Sequence, residues 1–190
     1  MLVGGGVKDN VGPELVEDRI KSPYTTWRFD ATTTRMPEFS APGIGRENST
    51  VTIDAEIGEN ASGVLYALGG AGGGVTLYMD KGDLVYEYNM MIIERYTARS
   101  GSRLAPGKRR IEVTTRLETP KPLSAAGVVL KVDGQEVGRT TVKRTVPAAF
   151  SASETFDVGV DLGSTVSLDY FDRRPFKFEG KIEKVEVKLN

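Results

Sequence analysis

Residues 49–57 read Ser49-Thr50-Val51-Thr52-Ile53-Asp54-Ala55-Glu56-Ile57, with an apolar side chain at every odd position from Val51 onward and a polar one between each pair. A period of two belongs to a β-strand, whose successive side chains leave opposite faces, so this stretch has one face for a core and one for water. Lys181-Ile182-Glu183-Lys184-Val185-Glu186-Val187-Lys188-Leu189 repeats the pattern near the C-terminus, with Val185, Val187 and Leu189 on one side and charges on the other. A helix would leave no apolar residue two positions after another on the same face, whereas here the apolar residues recur at every second position, which is the strand period.

Outward from these two anchors, alternation recurs in short runs separated by turn residues. Candidate strands are Thr25 to Phe29, Ser49 to Ile57, Gly63 to Leu68, Val75 to Met79, Leu84 to Asn89, Glu94 to Ser100, Lys108 to Leu117, Val128 to Val132, Gln135 to Val142, Phe156 to Val160 and Lys177 to Leu189. The 22 glycines and 9 prolines are scattered between these runs, which is the make-up of an all-β domain of two packed sheets. Asp133-Gly134 suits a two-residue type I′ hairpin turn, because both residues tolerate positive φ, and Asp80-Lys81-Gly82-Asp83 does the same work between its neighbours. Residues 1–24 read as an irregular lead-in or linker in which only Glu14 to Ile20 has the make-up of a helical turn; residues 25–190 form a single domain.

The run Gly69-Gly70-Ala71-Gly72-Gly73-Gly74 raises a phosphate loop as an alternative to a turn. Phosphate loops open a helix, whereas Val75-Thr76-Leu77-Tyr78-Met79 follows here, β-branched and aromatic. No Lys-Ser/Thr pair closes the run, so a tight strand-to-strand connection is expected. The 190 residues carry 25 Lys and Arg against 26 Asp and Glu, a net charge of -1 that recruits neither nucleic acid nor an anionic membrane. No run approaches the roughly 18 apolar residues of a membrane helix. Cysteine and histidine are both absent, which excludes thiolate catalysis, Ser-His-Asp triads and Cys- or His-ligated metals.

Three constellations remain. Asp157 and Asp161 share a strand face if β-structure continues through Val160, and with Asp169 and Asp172 nearby they offer the oxygen-rich chemistry calcium requires, set against ordinary turn use of Asp. Trp27, Tyr78, Tyr86, Tyr88 and Tyr96 would form a platform for stacking sugars if exposed; Tyr86 and Tyr88 share one face, which meets core, a neighbouring domain or a glycan. Glu87, Glu94, Glu56 and Asp54 could be paired as glycosidase carboxylates, but outward strand faces carry such residues anyway. Lys108-Arg109-Arg110 reads as a solvated strand start.

Taken together, Gly63-Val64-Leu65-Tyr66-Ala67-Leu68-Gly69-Gly70, Leu84-Val85-Tyr86-Glu87-Tyr88-Asn89, Leu104-Ala105-Pro106-Gly107-Lys108 and Thr155-Phe156-Asp157-Val158-Gly159-Val160-Asp161 resemble, in order and spacing, the C-terminal non-catalytic β-sandwich domain of bacterial arylsulfatases. The resemblance continues through Arg35-Met36-Pro37-Glu38, Val132-Asp133-Gly134, Arg144-Thr145-Val146-Pro147 and Phe178 to Val185, covering the chain from about Tyr24 onward. It implies a concanavalin-like jelly-roll sandwich of two antiparallel sheets that follows a sulfatase catalytic domain in a bacterial parent chain, periplasmic or cytoplasmic. The family's catalytic Ser-x-Pro-x-Arg motif is missed at Ser40-Ala41-Pro42-Gly43-Ile44, where Ile44 stands in place of Arg. The expectation is therefore an accessory domain, not an enzyme by itself, needing no cofactor unless calcium binds Asp157 and Asp161. Its partner would be the catalytic domain, met through Trp27, Tyr86, Tyr88, Gly72 and Gly73, with self-association when that surface is bare. A free-standing carbohydrate-binding module using the same aromatics on a glycan is the alternative.

Overall fold

A computed structural model describes residues 23–190. The Glu14 to Ile20 turn lies outside the described residues. Twelve strands run in chain order: β1 Thr26–Phe29, β2 Met36–Pro37, β3 Ser49–Ile57, β4 Gly63–Gly70, β5 Gly73–Asp80, β6 Asp83–Met90, β7 Glu94–Arg99, β8 Gly107–Leu117, β9 Ala126–Val132, β10 Gln135–Val142, β11 Thr155–Val158 and β12 Lys181–Leu189. Among the described residues the only helical pieces are single 3-10 turns at Glu38–Ser40 and Phe171–Arg173. Sheet 1 has the order β1-β12-β3-β8-β9-β10, and sheet 2 the order β2-β11-β4-β5-β6-β7. The strand pairings within both sheets are antiparallel.

The two anchor strands lie side by side, with Val51 opposite Val187 and Ile53 opposite Val185. Val51, Ile53, Ala55, Ile57, Val185 and Val187 are all buried in the core between the sheets, while Leu189 at the strand end is half-buried. Both two-residue turns form as the residue types dictate: Asp133 and Gly134 have φ of 51° and 82°, Lys81 and Gly82 of 51° and 90°. The glycine run is a hairpin, Gly70 opposite Gly73 with Ala71 and Gly72 as its turn. A Cβ at Gly74 would meet the Leu68 carbonyl oxygen at 2.5 Å, so glycine is required by the close approach of β4 and β5. Two expected strands are shorter than their alternation: β11 stops at Val158, before Gly159 turns away with φ 75°, and Lys177 makes only an isolated bridge to Val64 before β12 begins.

The centre of sheet 2, strands β4 to β6, is buried on both faces, which alternation does not reveal. Leu77, Met79, Leu84, Tyr86 and Tyr88 point into the main core, while Val64, Ala67, Tyr78 and Val85 point outward into a second one. The lid on that second core is residues 159–180, the connection from β11 to β12, through Val166, Tyr170 and Phe176. Tyr170 stacks on Phe176 at 5.0–5.1 Å from its neighbours' ring centroids, meeting Tyr78 edge-on on its other side.

Candidate functional site

Strand register collects several loops at one end of the sandwich. Gly70 faces Gly73, Gly74 faces Asn89 and Met90 faces Glu94, so the β4–β5 and β6–β7 turns share that end. The loop before β3 joins them, because Gly45 lies against Val75, Phe150 and Tyr88. Here a groove of about 900 Å³ opens, walled by Tyr24 just before β1, Trp27 of β1, Met36 and Phe39 around β2, Arg46 to Asn48, Leu117 with Pro120 to Pro122, Val146 to Ala148, and Leu189 with Asn190. That volume lies within the roughly 300–1,000 Å³ of small-ligand sites.

Buried polar groups fasten the walls. The Tyr88 hydroxyl donates to the Gly45 carbonyl at 2.9 Å and accepts from the Val146 N–H at 2.8 Å, tying two loops of the groove together from beneath. Burial pushes that phenol upward from its ordinary range, so it stays a neutral donor. The buried Glu38 carboxylate accepts from the N–H groups of Phe150 and Ser151, both at 2.8 Å. Asn48 accepts from the Leu117 N–H at 2.7 Å, and Arg46 donates to the Ala148 carbonyl at 2.8 Å. Trp27 is half-buried, its body against the core and its edge in the groove. Phe39 and Tyr24 are exposed on the rim beside Glu47 and Lys121. An apolar floor rimmed by amide, carboxylate and cationic groups can stack a sugar ring and hydrogen-bond its hydroxyls.

The structure separates the residues singled out in the sequence. Trp27 lines the groove. Gly72 is exposed at the tip of the β4–β5 turn, and Gly73 is buried beside Met91. Tyr86 and Tyr88 do share a face, but it is the core face, where both are fully buried; neither presents a ring to a glycan or a neighbouring domain. Ile44, in the position the sulfatase motif gives to Arg, is a core residue. Glu87 pairs with Arg95 and accepts from the Ser167 hydroxyl beneath the lid, Glu94 pairs with Arg144, and Asp54 lies in sheet 1 paired with Arg110 and Lys184. Each of these three carboxylates has a basic partner of its own, and Glu56, the fourth, is exposed on β3. Met36, Phe39, Arg46 and Leu117 of the groove carry no signal in the sequence, since they come from three separate segments, 36–39, 46 and 117, and no local spacing unites them.

Asp157 and Asp161 do not share a strand face, because β11 ends between them, and they do not fit calcium. Both Asp157 oxygens accept hydrogen bonds, from the Arg35 N–H at 2.6 Å and from the Thr155 hydroxyl at 3.0 Å. Asp161 Oδ2 accepts from the Tyr170 hydroxyl at 2.6 Å and the Val166 N–H at 3.0 Å. Donors aimed at three of the four oxygens would have to face the cation. The remaining Asp161 Oδ1 is buried with no hydrogen-bond partner, and burial raises this carboxyl from 3.8 to about 6 against the opposing pull of Tyr170 and Val166.

Comparison with known proteins by sequence gives no match, either to protein-family descriptions or to curated proteins. Comparison by structure does. The carbohydrate-binding module (CBM40) of the Ruminococcus gnavus IT-sialidase superposes with a TM-score of 0.58 at 15% identity, over 86% of this chain and 92% of that one. Domains LG4-5 of the mouse laminin alpha1 chain give 0.57 at 16%, over 86% of this chain and 42% of that one. The leech intramolecular trans-sialidase gives 0.56 at 12%, over 86% and 26%. The Ruminococcus module has also been solved bound to alpha2,3 and to alpha2,6 sialyllactose. At these identities the likeness concerns the fold, and the chain is a jelly-roll sandwich of two antiparallel sheets.

Proposed function

We propose that this domain is a glycan-binding module whose site is the groove at the Trp27 end. The observation that carries this reading is the groove itself, where aromatic and apolar side chains form the floor and Arg46, Glu47, Asn48, Lys121 and Asn190 form the edge. The sialyllactose-bound neighbour supports the ligand class, and Lys121, with Arg46 beside Glu47, supplies cationic groups for an acidic sugar. Trp27 is the sole tryptophan, so its fluorescence reports on the groove alone. Titration with alpha2,3 and alpha2,6 sialyllactose and a panel of sulfated and neutral oligosaccharides should shift that fluorescence saturably, with matching calorimetric heat. Phe39→Ala and Lys121→Ala, both at exposed positions, should weaken binding roughly tenfold or more while leaving the melting temperature in place. Absence of both signals across the panel overturns the reading.

A second reading follows from the arylsulfatase resemblance: an accessory domain seated against a catalytic domain of a longer chain. What favours it is the closed outer face of sheet 2, where Val166, Tyr170 and Phe176 leave no open concave surface for an extended glycan. Under that reading the chain hydrolyses no sulfate ester alone and binds no oligosaccharide.

A further inference from the structure

The polypeptide enters the sandwich through the groove. Tyr24 is one of its walls and Trp27, three residues on, is another, so residues 1–22 join the domain at that site. Reach is not limiting. At up to about 3.5 Å per residue, Ile20 lies within about 14 Å of Tyr24 and Leu15 within about 32 Å. A tether this short holds a segment at an effective concentration on the order of millimolar, where even weak complementarity fills a site.

The segment nearest the groove has the opposite charge to it. Glu14-Leu15-Val16-Glu17-Asp18-Arg19-Ile20 carries three acids against one base. The ionisable side chains of the groove are Arg46 and Lys121 against Glu47. Glu47 is turned to Arg46 at 3.8 Å, and Lys121 has no carboxylate partner among the described residues. Apolar surface matches as well. One helical turn would set Val16 and Ile20 on one face and Glu14, Glu17 and Asp18 on the other, and the groove offers Trp27, Met36, Phe39 and Leu117 to the first face and Lys121 to the second. Nor are the groove walls idle, since Tyr24, Phe39, Arg46 and Ala148 each take part in a further interaction besides those named above.

From the point of entry and this complementarity we infer that residues 14–20 fold back into the groove of their own chain, Val16 and Ile20 on the apolar floor and Glu17 and Asp18 toward Lys121. The segment is then an internal competitor, its carboxylates standing where the anionic group of an acidic sugar would bind. As regulation this rests on the glycan reading, whereas the intramolecular contact itself does not, and the two are measured separately.

The contact is tested without sugar, on the full chain, through the fluorescence of Trp27, the sole tryptophan. Replacing Leu15, Val16 and Ile20 together with Ser should shift the emission to the red and about double its quenching by acrylamide, because at that effective concentration the segment fills the groove most of the time. The melting temperature should fall by no more than about 4 °C, the linkage effect of emptying the site. Glu17→Lys with Asp18→Lys should give the same red shift, and adding Lys121→Glu to that pair should reverse it. Identical emission and quenching in the wild type and the triple Ser variant overturn the proposal. A wild-type spectrum that changes with protein concentration overturns it too, by placing the segment in the groove of a second copy. Titration with sialyllactose then separates the two ideas. The triple Ser variant should bind roughly three- to tenfold more tightly than the wild type. A spectral change with no sugar binding by either protein leaves the internal contact standing and removes the glycan reading. Equal sugar binding with no spectral change does the reverse.

Discussion

Asp161 gives this domain a stability profile opposite in sign to that of most carboxylates. Its side chain is 1% exposed beneath the lid, one oxygen bonded to Tyr170 and Val166 and the other without a partner. Burial dominates and the nearby Asp157 and Glu154 add to it, so the carboxyl rises from 3.8 to about 6. Between those values the folded protein binds a proton that the unfolded chain has released. Stability from this group is therefore greatest below the unfolded pKa, falls as pH rises through the folded value, and is flat above it. A displacement of about two pKa units at 1.36 kcal/mol each corresponds to at most about 3 kcal/mol. Glu94 runs the other way: the guanidinium of Arg144 and then the Tyr96 hydroxyl hold it down to about 2, so acid weakens that exposed contact. The informative quantity is consequently the difference between wild type and Asp161→Asn, whose amide oxygen can still accept from Tyr170 and Val166 but carries no charge. Urea denaturation below about pH 4 and above about pH 7 should show the variant gaining 1–3 kcal/mol relative to wild type on going to the higher pH, with about half the gain complete near pH 5. A difference that stays constant across this window would mean that Asp161 is hydrated in solution and that the lid does not seal it from water.

Two further substitutions test the core and the wall supports. Val185→Asp, on the inner face of β12 with no exposure, should unfold the domain, because an unpaired carboxylate there costs several kcal/mol. Its neighbour Glu186→Lys, which loses only the exposed ion pair with Arg28, should shift stability by no more than about 0.5 kcal/mol; circular dichroism melts read both, and equal melts would mean that the register of β12 is misassigned. Tyr86→Phe and Tyr88→Phe should move stability in opposite directions despite sharing a strand face. The Tyr86 hydroxyl is buried without a partner, so its removal should add about 1 kcal/mol, whereas removing the Tyr88 hydroxyl orphans Gly45 and Val146 and should cost about 1–3 kcal/mol. Equal effects from the two would refute the assignment of Tyr88 as a loop fastener.

How far the sequence reveals this molecule depends on how many neighbours act on each stretch. Ser49 to Ile57 is legible to its ends because one face of β3 meets the core and the other meets water, which imposes a period of two. Asp133-Gly134 and Lys81-Gly82 are legible because their backbone conformation excludes most other residues. Strand β6 is legible as a strand but not as to direction. Tyr86 and Tyr88 face the core while Val85 and Glu87 face the lid, so both alternating sets are buried and the pattern carries no inside or outside. The lid that causes this has no period of its own, and nothing in residues 159–180 announces that they will lie over Tyr78. β2 is missed for a simpler reason, since two residues are too few to alternate.

The same reasoning explains why the groove opens at one end of the sandwich. The outer face of sheet 1 is largely satisfied by its own charges, Arg28 with Glu186, Lys108 with Glu183, and Asp54 with both Arg110 and Lys184. The outer face of sheet 2 is closed by the chain itself. What remains is an end where loops from distant parts of the chain meet, and such loops need internal ties before they can hold a shape for a ligand. Tyr88 supplies one tie and Glu38 another, each a polar group spent inside the protein so that Trp27, Phe39 and Lys121 stand in fixed relation at the surface. The sequence feature that looked most like a binding face, paired tyrosines on one strand, therefore acts one layer below it: Tyr86 as filling, Tyr88 as the fastening of the groove.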